Sequence, residues 1–188
     1  MLIGLNSPAP ASGKTEVARV LQEEYGFKVV RFAGPLKAMT SELLKAAGFL
    51  NKEVRDRYIY GDLKEDPIPT LGGRSSRYIQ QRLGTEFGRD LISPTLWVDL
   101  AMHYAHTLRC SGYPVVIDDM RFVNEYDAIR AAGGKTMRII RPGIARPAEA
   151  HPSEGALDSH PFDHVLHNDG PLSALEGKVM EALINLQS

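Results

Sequence analysis

Cysteine is all but missing from this chain. Cys110 stands alone, which excludes an internal disulfide and makes a reducing compartment, the cytoplasm, the expected setting. Net charge is nearly missing as well: 22 Lys and Arg against 23 Asp and Glu leave −1. Such a chain has no general attraction for nucleic acid or for acidic membranes, so neither is an expected partner. Any polyanion it handles must be held by a local cluster of basic groups. No apolar run approaches the ~20 residues that a membrane span needs. The first strand pattern begins at Leu2 and reaches a loop by Ser7, which leaves no room for a signal peptide. What remains, 188 residues that are 43% hydrophobic and 24% charged, fits one domain over residues 1–188 around a single core.

Within it, short apolar runs rich in β-branched residues alternate with helical patterns. Leu2–Leu5 reads as a buried strand, followed by a loop ending in Ser12-Gly13-Lys14-Thr15. Val17, Ala18, Val20, Leu21 and Tyr25 recur at helical spacing, with Gly26 as the C-terminal stop. Further strands are expected at Val29–Ala33, Val115–Ile117, Thr136–Ile140 and Val165-Leu166. Helices are expected after Gly34-Pro35, over Ser76–Leu91 with an interruption at Gly84, from an N-cap at Ser93, and over Asn124–Ala132. Leu172, Leu175, Val179, Leu183 and Leu186 mark a last one. Phe49–Gly73 reads as a short helix plus loop. Strands alternating with helices predict a parallel sheet covered on both faces. Pro142–Pro161, with four prolines and two glycines, reads as a long excursion of the kind that forms functional loops.

The chemical centre of the sequence is Ser12-Gly13-Lys14-Thr15, between a strand and a helix. A helix N-terminus presents unpaired N–H groups and a positive dipole end, and both favour phosphate. In a phosphate loop of the form G-x-x-x-x-G-K-[ST], Lys14 reaches the β- and γ-phosphates and the Thr15 hydroxyl ligates Mg²⁺. Here Pro8 replaces the first glycine and a second proline stands at Pro10. Neither can donate an N–H. The donors that matter most, at Gly13, Lys14 and Thr15, are kept.

Asp118-Asp119 ends an apolar strand, where a phosphate-loop protein places the acid of the Mg²⁺ shell. Asp119 is the expected ligand; a strand-end aspartate can also merely cap a turn. Arg121, two residues on, points the same way along an extended chain. Further candidates for phosphate are Lys37, Arg77, Arg82, Arg89, Arg141 and Arg146. Arg141 and Arg146 are favoured because they open the long excursion, and a basic lid supplies positive charge while excluding water. His151, His160, His164 and His167 crowd near that segment, but no cysteine or acidic set accompanies them as zinc would require. Trp97, Tyr58 and Tyr60 read as packing residues rather than base-stacking ones.

Three blocks carry a resemblance: Phe32-Ala33-Gly34-Pro35-Leu36-Lys37; Arg77 and Gln81 with Leu83-Gly84-Thr85-Glu86-Phe87-Gly88-Arg89; and Asp119-Met120-Arg121-Phe122-Val123-Asn124-Glu125. His151-Pro152-Ser153-Glu154 and Asn168-Asp169-Gly170 continue it. In this order they resemble the bacteriophage-type deoxynucleoside monophosphate kinases. The resemblance implies an α/β, three-layer P-loop NTPase fold like that of adenylate kinase. A central parallel sheet of about five strands would carry helices on both faces, a monophosphate-binding region and a lid near residues 142–161. It implies transfer of the ATP γ-phosphate to a deoxynucleoside monophosphate with Mg²⁺. ATP would be held by Ala11, Ser12, Gly13, Lys14, Thr15, Asn168 and Asp169, the last two similar to the adenine-side loop of dephospho-coenzyme A kinase. The monophosphate would meet Lys37, Arg77, Gln81, Glu86, Arg89 and Arg121. Thr15 and Asp119 would hold the metal, and Lys14, Arg121, Arg141 and Arg146 would carry the catalytic charge. A homodimer is compatible with this reading.

Two departures from the family pattern stand out, Pro8 in the loop and Gly34 where the family has aspartate. They leave two alternatives open: another small-molecule kinase of the dephospho-coenzyme A kinase type, or a nucleotide-binding protein that has lost transfer. If the missing aspartate orients the acceptor, Glu86 is the candidate to replace it.

Overall fold

The computed structural model describes residues 1–144 and 155–187. In chain order the elements are β1 (Leu2–Asn6), α1 (Lys14–Tyr25), β2 (Lys28–Val30), α2 (Gly34–Ala46), α3 (Lys52–Tyr60), β3 (Pro67–Ile68), β4 (Arg74–Ser75) and α4 (Ser76–Arg82). A π-helical segment (Leu83–Ile92) follows, then α5 (Leu96–Cys110), β5 (Val115–Ile117), α6 (Val123–Ala131), β6 (Lys135–Ile140), β7 (His164–His167) and α7 (Leu172–Gln187). They form two compact units, Met1–Phe32 with Ala101–Ser188, and Ala33–Leu100.

The first unit is built on a five-stranded sheet in the order β2-β5-β1-β6-β7, every pair parallel. All five residues of β1 and all three of β5 are buried, the continuous apolar reading expected of parallel strands covered on both faces. Val17, Ala18, Val20 and Leu21 of α1 and Leu175, Val179, Ala182, Leu183 and Leu186 of α7 share a core with Ile3, Leu5, Val116, Met137, Ile139 and Leu166. Gly4, between Ile3 and Leu5, faces the other way and meets Ile129 of α6. Helices therefore cover both faces. Truncating a fully buried leucine such as Leu21 to alanine costs about 2–5 kcal/mol in such a core.

The chain runs from β1 outward to β2, returns through β5, and then crosses β1 to reach β6 and β7. This reversal places a crevice at the carboxyl ends of the central strands, where α/β sheets bind their ligands.

The second unit has its own small core of Leu44, Ile59 and Ile68, with Phe49, Tyr58 and Leu71 against it. The buried Arg55 ties its helices together, donating to the carbonyls of Phe49 at 2.9 Å and Leu50 at 2.6 Å and to the Ser41 hydroxyl at 3.1 Å. The stretch expected as a short helix plus loop folds as α3 and the antiparallel β3–β4 hairpin. The helix expected to break at Gly84 becomes π-helical from Leu83. Trp97 accounts for part of this: its indole N–H donates to the Gly84 carbonyl at 2.8 Å. A Cβ on Gly88 would lie 2.4 Å from the same ring, so that position admits only glycine. Trp97 and Tyr58 thus pack as expected, the latter on Phe49 at 4.9 Å.

Two boundaries moved by more than one residue. β2 stops at Val30 rather than at Ala33, because Phe32 gives its N–H to the Asp119 carboxylate and leaves the ladder. α5 starts at Leu96, not just after Ser93: the Ser93 hydroxyl accepts the Thr95 N–H at 3.3 Å and its carbonyl accepts Leu96, closing a turn ahead of the helix.

Candidate active site

In the first unit, β1 leaves the sheet at Asn6 and α1 begins at Lys14, so residues 7–13 form the loop from the carboxyl end of β1 to the start of α1. Gly13 is the N-cap of α1 at φ 98°, and among the described residues no side chain caps the helix. A helix entrance of this kind presents backbone N–H groups that suit phosphate. Lys14 extends its ammonium to the Ser7 hydroxyl, which in turn donates to the Ala9 carbonyl at 2.9 Å. Ser12 is 3% exposed, and its buried hydroxyl meets no hydrogen-bond partner among the described residues. Ala11 adopts φ 54°, the left-handed region that a Cβ disfavours.

The far side of this loop is held by Asn168, directly after β7. Its side-chain amide donates to the Ser12 carbonyl at 2.9 Å, and its backbone N–H donates to Ile140 at 2.8 Å. Lys178 of α7 donates to the His167 carbonyl at 2.7 Å and pairs with Asp169. The hydrogen bond from that ammonium holds the Asp169 carboxyl below the usual carboxylate range.

At the exit of β5 the two adjacent acids differ in role. Asp118 is buried and takes a bidentate fork from Arg31, Nε at 2.8 Å and Nη2 at 2.6 Å. Asp119 accepts the Phe32 N–H at 2.9 Å. The next residues are fixed from both ends: Asn6 donates to the Met120 carbonyl at 3.1 Å, and Glu125 accepts the N–H groups of Arg121 and Phe122. Asp119 lies just past the carboxyl end of β5, and Thr15 lies in the first turn of α1, the helix that follows the adjacent strand β1; both offer hard oxygen donors. Among the described residues no three His, Cys, Asp or Glu side chains gather as a metal cluster.

Arg31 and Asn6 were not among the sequence candidates, although both are polar side chains at the carboxyl end of a strand, and that position is a readable signal. Arg141 follows β6 directly and is exposed. Arg146 and His151, with half of the expected lid, lie outside the described residues. The returning part of that excursion is anchored. Arg138 donates to the Leu157 carbonyl at 3.1 Å and pairs with Asp158, while the Tyr126 hydroxyl donates to Pro161 at 2.6 Å.

The remaining candidates belong to the second unit. The Lys37 ammonium lies 4.7 Å over the Tyr60 ring. Arg77 pairs with Glu65, and Glu86 pairs with Arg82 one helical turn away. Gln81 is exposed, and Arg89 is half-buried in the π-helical segment.

Residues 72–179 match the family described as deoxynucleotide monophosphate kinase. A protein of Acanthamoeba polyphaga mimivirus carrying that description is 34% identical, over 98% of this chain and 97% of its own length. The deoxynucleotide monophosphate kinase of Enterobacteria phage T4 is 33% identical over 58% of this chain, an alignment that spans 45% of the phage protein. Among solved structures, shikimate kinase from Aquifex aeolicus has a TM-score of 0.52 at 14% identity, covering 100% of this chain and 96% of its own. Dephospho-CoA kinase from Campylobacter jejuni has 0.51 at 12%, covering 98% and 96%. At such identities these two likenesses establish the fold alone, that of the P-loop kinases. The sequence matches establish more: this chain belongs to the deoxynucleotide monophosphate kinase family.

Proposed function

We propose that the protein transfers the γ-phosphoryl group of ATP to a deoxynucleoside monophosphate, giving the diphosphate and ADP. The observation that carries this reading is the uncapped entrance of α1, with Gly13, Lys14 and Thr15 opening it, in a chain of this family. A phosphate oxygen of the acceptor forms a bond to the γ-phosphorus while the bond from phosphorus to the β–γ bridging oxygen breaks, and ADP leaves with the electron pair. Little covalent chemistry falls to the protein in such a transfer; it positions the groups and stabilises spreading negative charge.

The N–H groups at the start of α1 hold the donor's phosphates, and the buried Ser12 hydroxyl has no other partner among the described residues. Lys14 is already turned over the loop by Ser7 and offers its charge to the migrating group. Mg²⁺ suits the residues present, because this ion takes one or two protein oxygens and completes its shell with water and substrate phosphates. Thr15 and Asp119 would hold it, and when bound it supplies positive charge across the β- and γ-phosphates. Arg121, Arg141 and Arg146 add charge around the transferring group.

Lys37, Arg77, Gln81, Glu86 and Arg89 are the groups offered to the acceptor. The ion pairs that now engage Arg77 and Glu86 are exposed and screened by solvent, so a phosphate can displace them at little cost. The likeness to dephospho-CoA kinase is one of fold and lends that acceptor no specific support. Release of ADP from Mg-ATP, on addition of single deoxynucleoside monophosphates, tests the proposal. ATP binding without ADP release on any acceptor would favour the reading in which transfer has been lost.

A further inference from the structure

We propose that Asn168 is a positioning residue for the phosphate loop, so that the segment after β7 sets the geometry of the triphosphate cradle; this rests on the kinase reading above. The bond between the Asn168 amide and the Ser12 carbonyl joins groups 156 residues apart, and both residues are buried. A buried carbonyl that loses its donor bears the cost of its desolvation, so this bond selects one loop conformation over others.

Gly13 shows how closely the two segments fit. A Cβ there would lie 2.3 Å from the Asn168 amide nitrogen, in addition to the strain at φ 98°. The glycine is thus required twice, once by its own backbone and once by the side chain seated against it. The other end of the contact is rigid. The Asn168 backbone is hydrogen-bonded to Ile140, and Lys178 holds the carbonyl before it and the carboxylate after it.

Because a carbonyl can accept only from the NH₂ group, the amide is oriented with its nitrogen on the loop. The side chain then acts on the phosphates through Ser12 and Gly13, rather than on the base.

Inorganic tripolyphosphate, which has no base or sugar, separates these roles. In Asn168→Ala, binding of ATP and of tripolyphosphate should weaken by the same factor, about tenfold, as expected for one lost buried hydrogen bond. With an acceptor that the wild type turns over, kcat should fall while KM for that acceptor stays unchanged. If the alanine variant does not fold, Asn168→Ser, which keeps a small polar group facing the carbonyl, takes its place. Weakened ATP binding with unchanged tripolyphosphate binding would make Asn168 a base contact and overturn the proposal. So would unchanged binding of both. A wild-type protein that bound neither would overturn the kinase reading itself, and is told apart from failure of the positioning role by that control.

Discussion

The Glu125 carboxylate accepts the backbone N–H of Arg121 at 2.6 Å and that of Phe122 at 3.0 Å. Phe122 occupies the N-cap of α6 and has no side-chain oxygen to offer its helix, and Glu125, three residues on, accepts these N–H groups instead. Asp-x-Arg-Phe-x-Asn-Glu is therefore one device: the glutamate holds the backbone that presents the arginine.

Glu125→Ala should lower unfolding free energy by about 1–2 kcal/mol in urea titrations, the range for lost caps. It should also reduce kcat through Arg121. Glu125→Gln keeps one neutral acceptor and should fall between the alanine variant and wild type. Stability unchanged in Glu125→Ala would show that the cap carries nothing.

Lys14 bears on chemistry rather than on folding. It is half-buried, and its ammonium reaches the Ser7 hydroxyl. Lys14→Ala should lower kcat by about 100-fold or more at nearly constant melting temperature, because the lost charge acts on the transition state. Near-normal kcat in the folded variant would refute the phosphate-loop assignment.

Within the loop two substitutions should act with opposite signs. Pro8→Gly frees the unfolded chain and should cost roughly 0.4–1 kcal/mol, with kcat nearly unchanged. Ala11 sits at φ 54°, strain that glycine relieves, so Ala11→Gly should be neutral or stabilise by up to about 1 kcal/mol. A gain of tenfold or more in ATP affinity for Pro8→Gly would show instead that proline impairs the loop.

The elements of the sheet and the helix after the phosphate loop were legible because their signals are local: continuous apolar runs, a 3.6-residue spacing, a Gly26 stop. The loop itself was legible for the same reason. What could not be read joins distant residues. Arg31 and Asp118 are 87 positions apart, and nothing near either distinguishes Asp118, taken by a guanidinium, from its neighbour Asp119. Nor does any spacing place Asn168 against Gly13. The π-helical turn was visible only as an interruption at Gly84, since its cause, the indole of Trp97, lies thirteen residues on.

Asp163 gives the fold a pH dependence. Burial alone would raise its carboxyl, but hydrogen bonds from Arg130 and from the N–H and hydroxyl of Thr136 outweigh it, and the carboxyl lies below its usual value. A depressed folded-state pKa adds stability that is fully present above the unfolded value of about 3.9 and is lost as pH falls through the folded value. Asp163→Asn should therefore melt below wild type at pH 7, and the gap should shrink steadily below about pH 4. A gap of constant size across that range would mean that the charge of Asp163 does not stabilise this corner.

The central claim is phosphoryl transfer to a deoxynucleoside monophosphate, and one assay bears on it most directly. Purified protein with Mg-ATP is given, one at a time, the four common deoxynucleoside monophosphates, their ribonucleotide counterparts and dephospho-coenzyme A, with ADP release followed by a coupled reaction. The account predicts turnover on at least one deoxynucleotide, with the diphosphate as product and no turnover on the coenzyme precursor. Silence on every deoxynucleotide, with turnover on dephospho-coenzyme A, would contradict it.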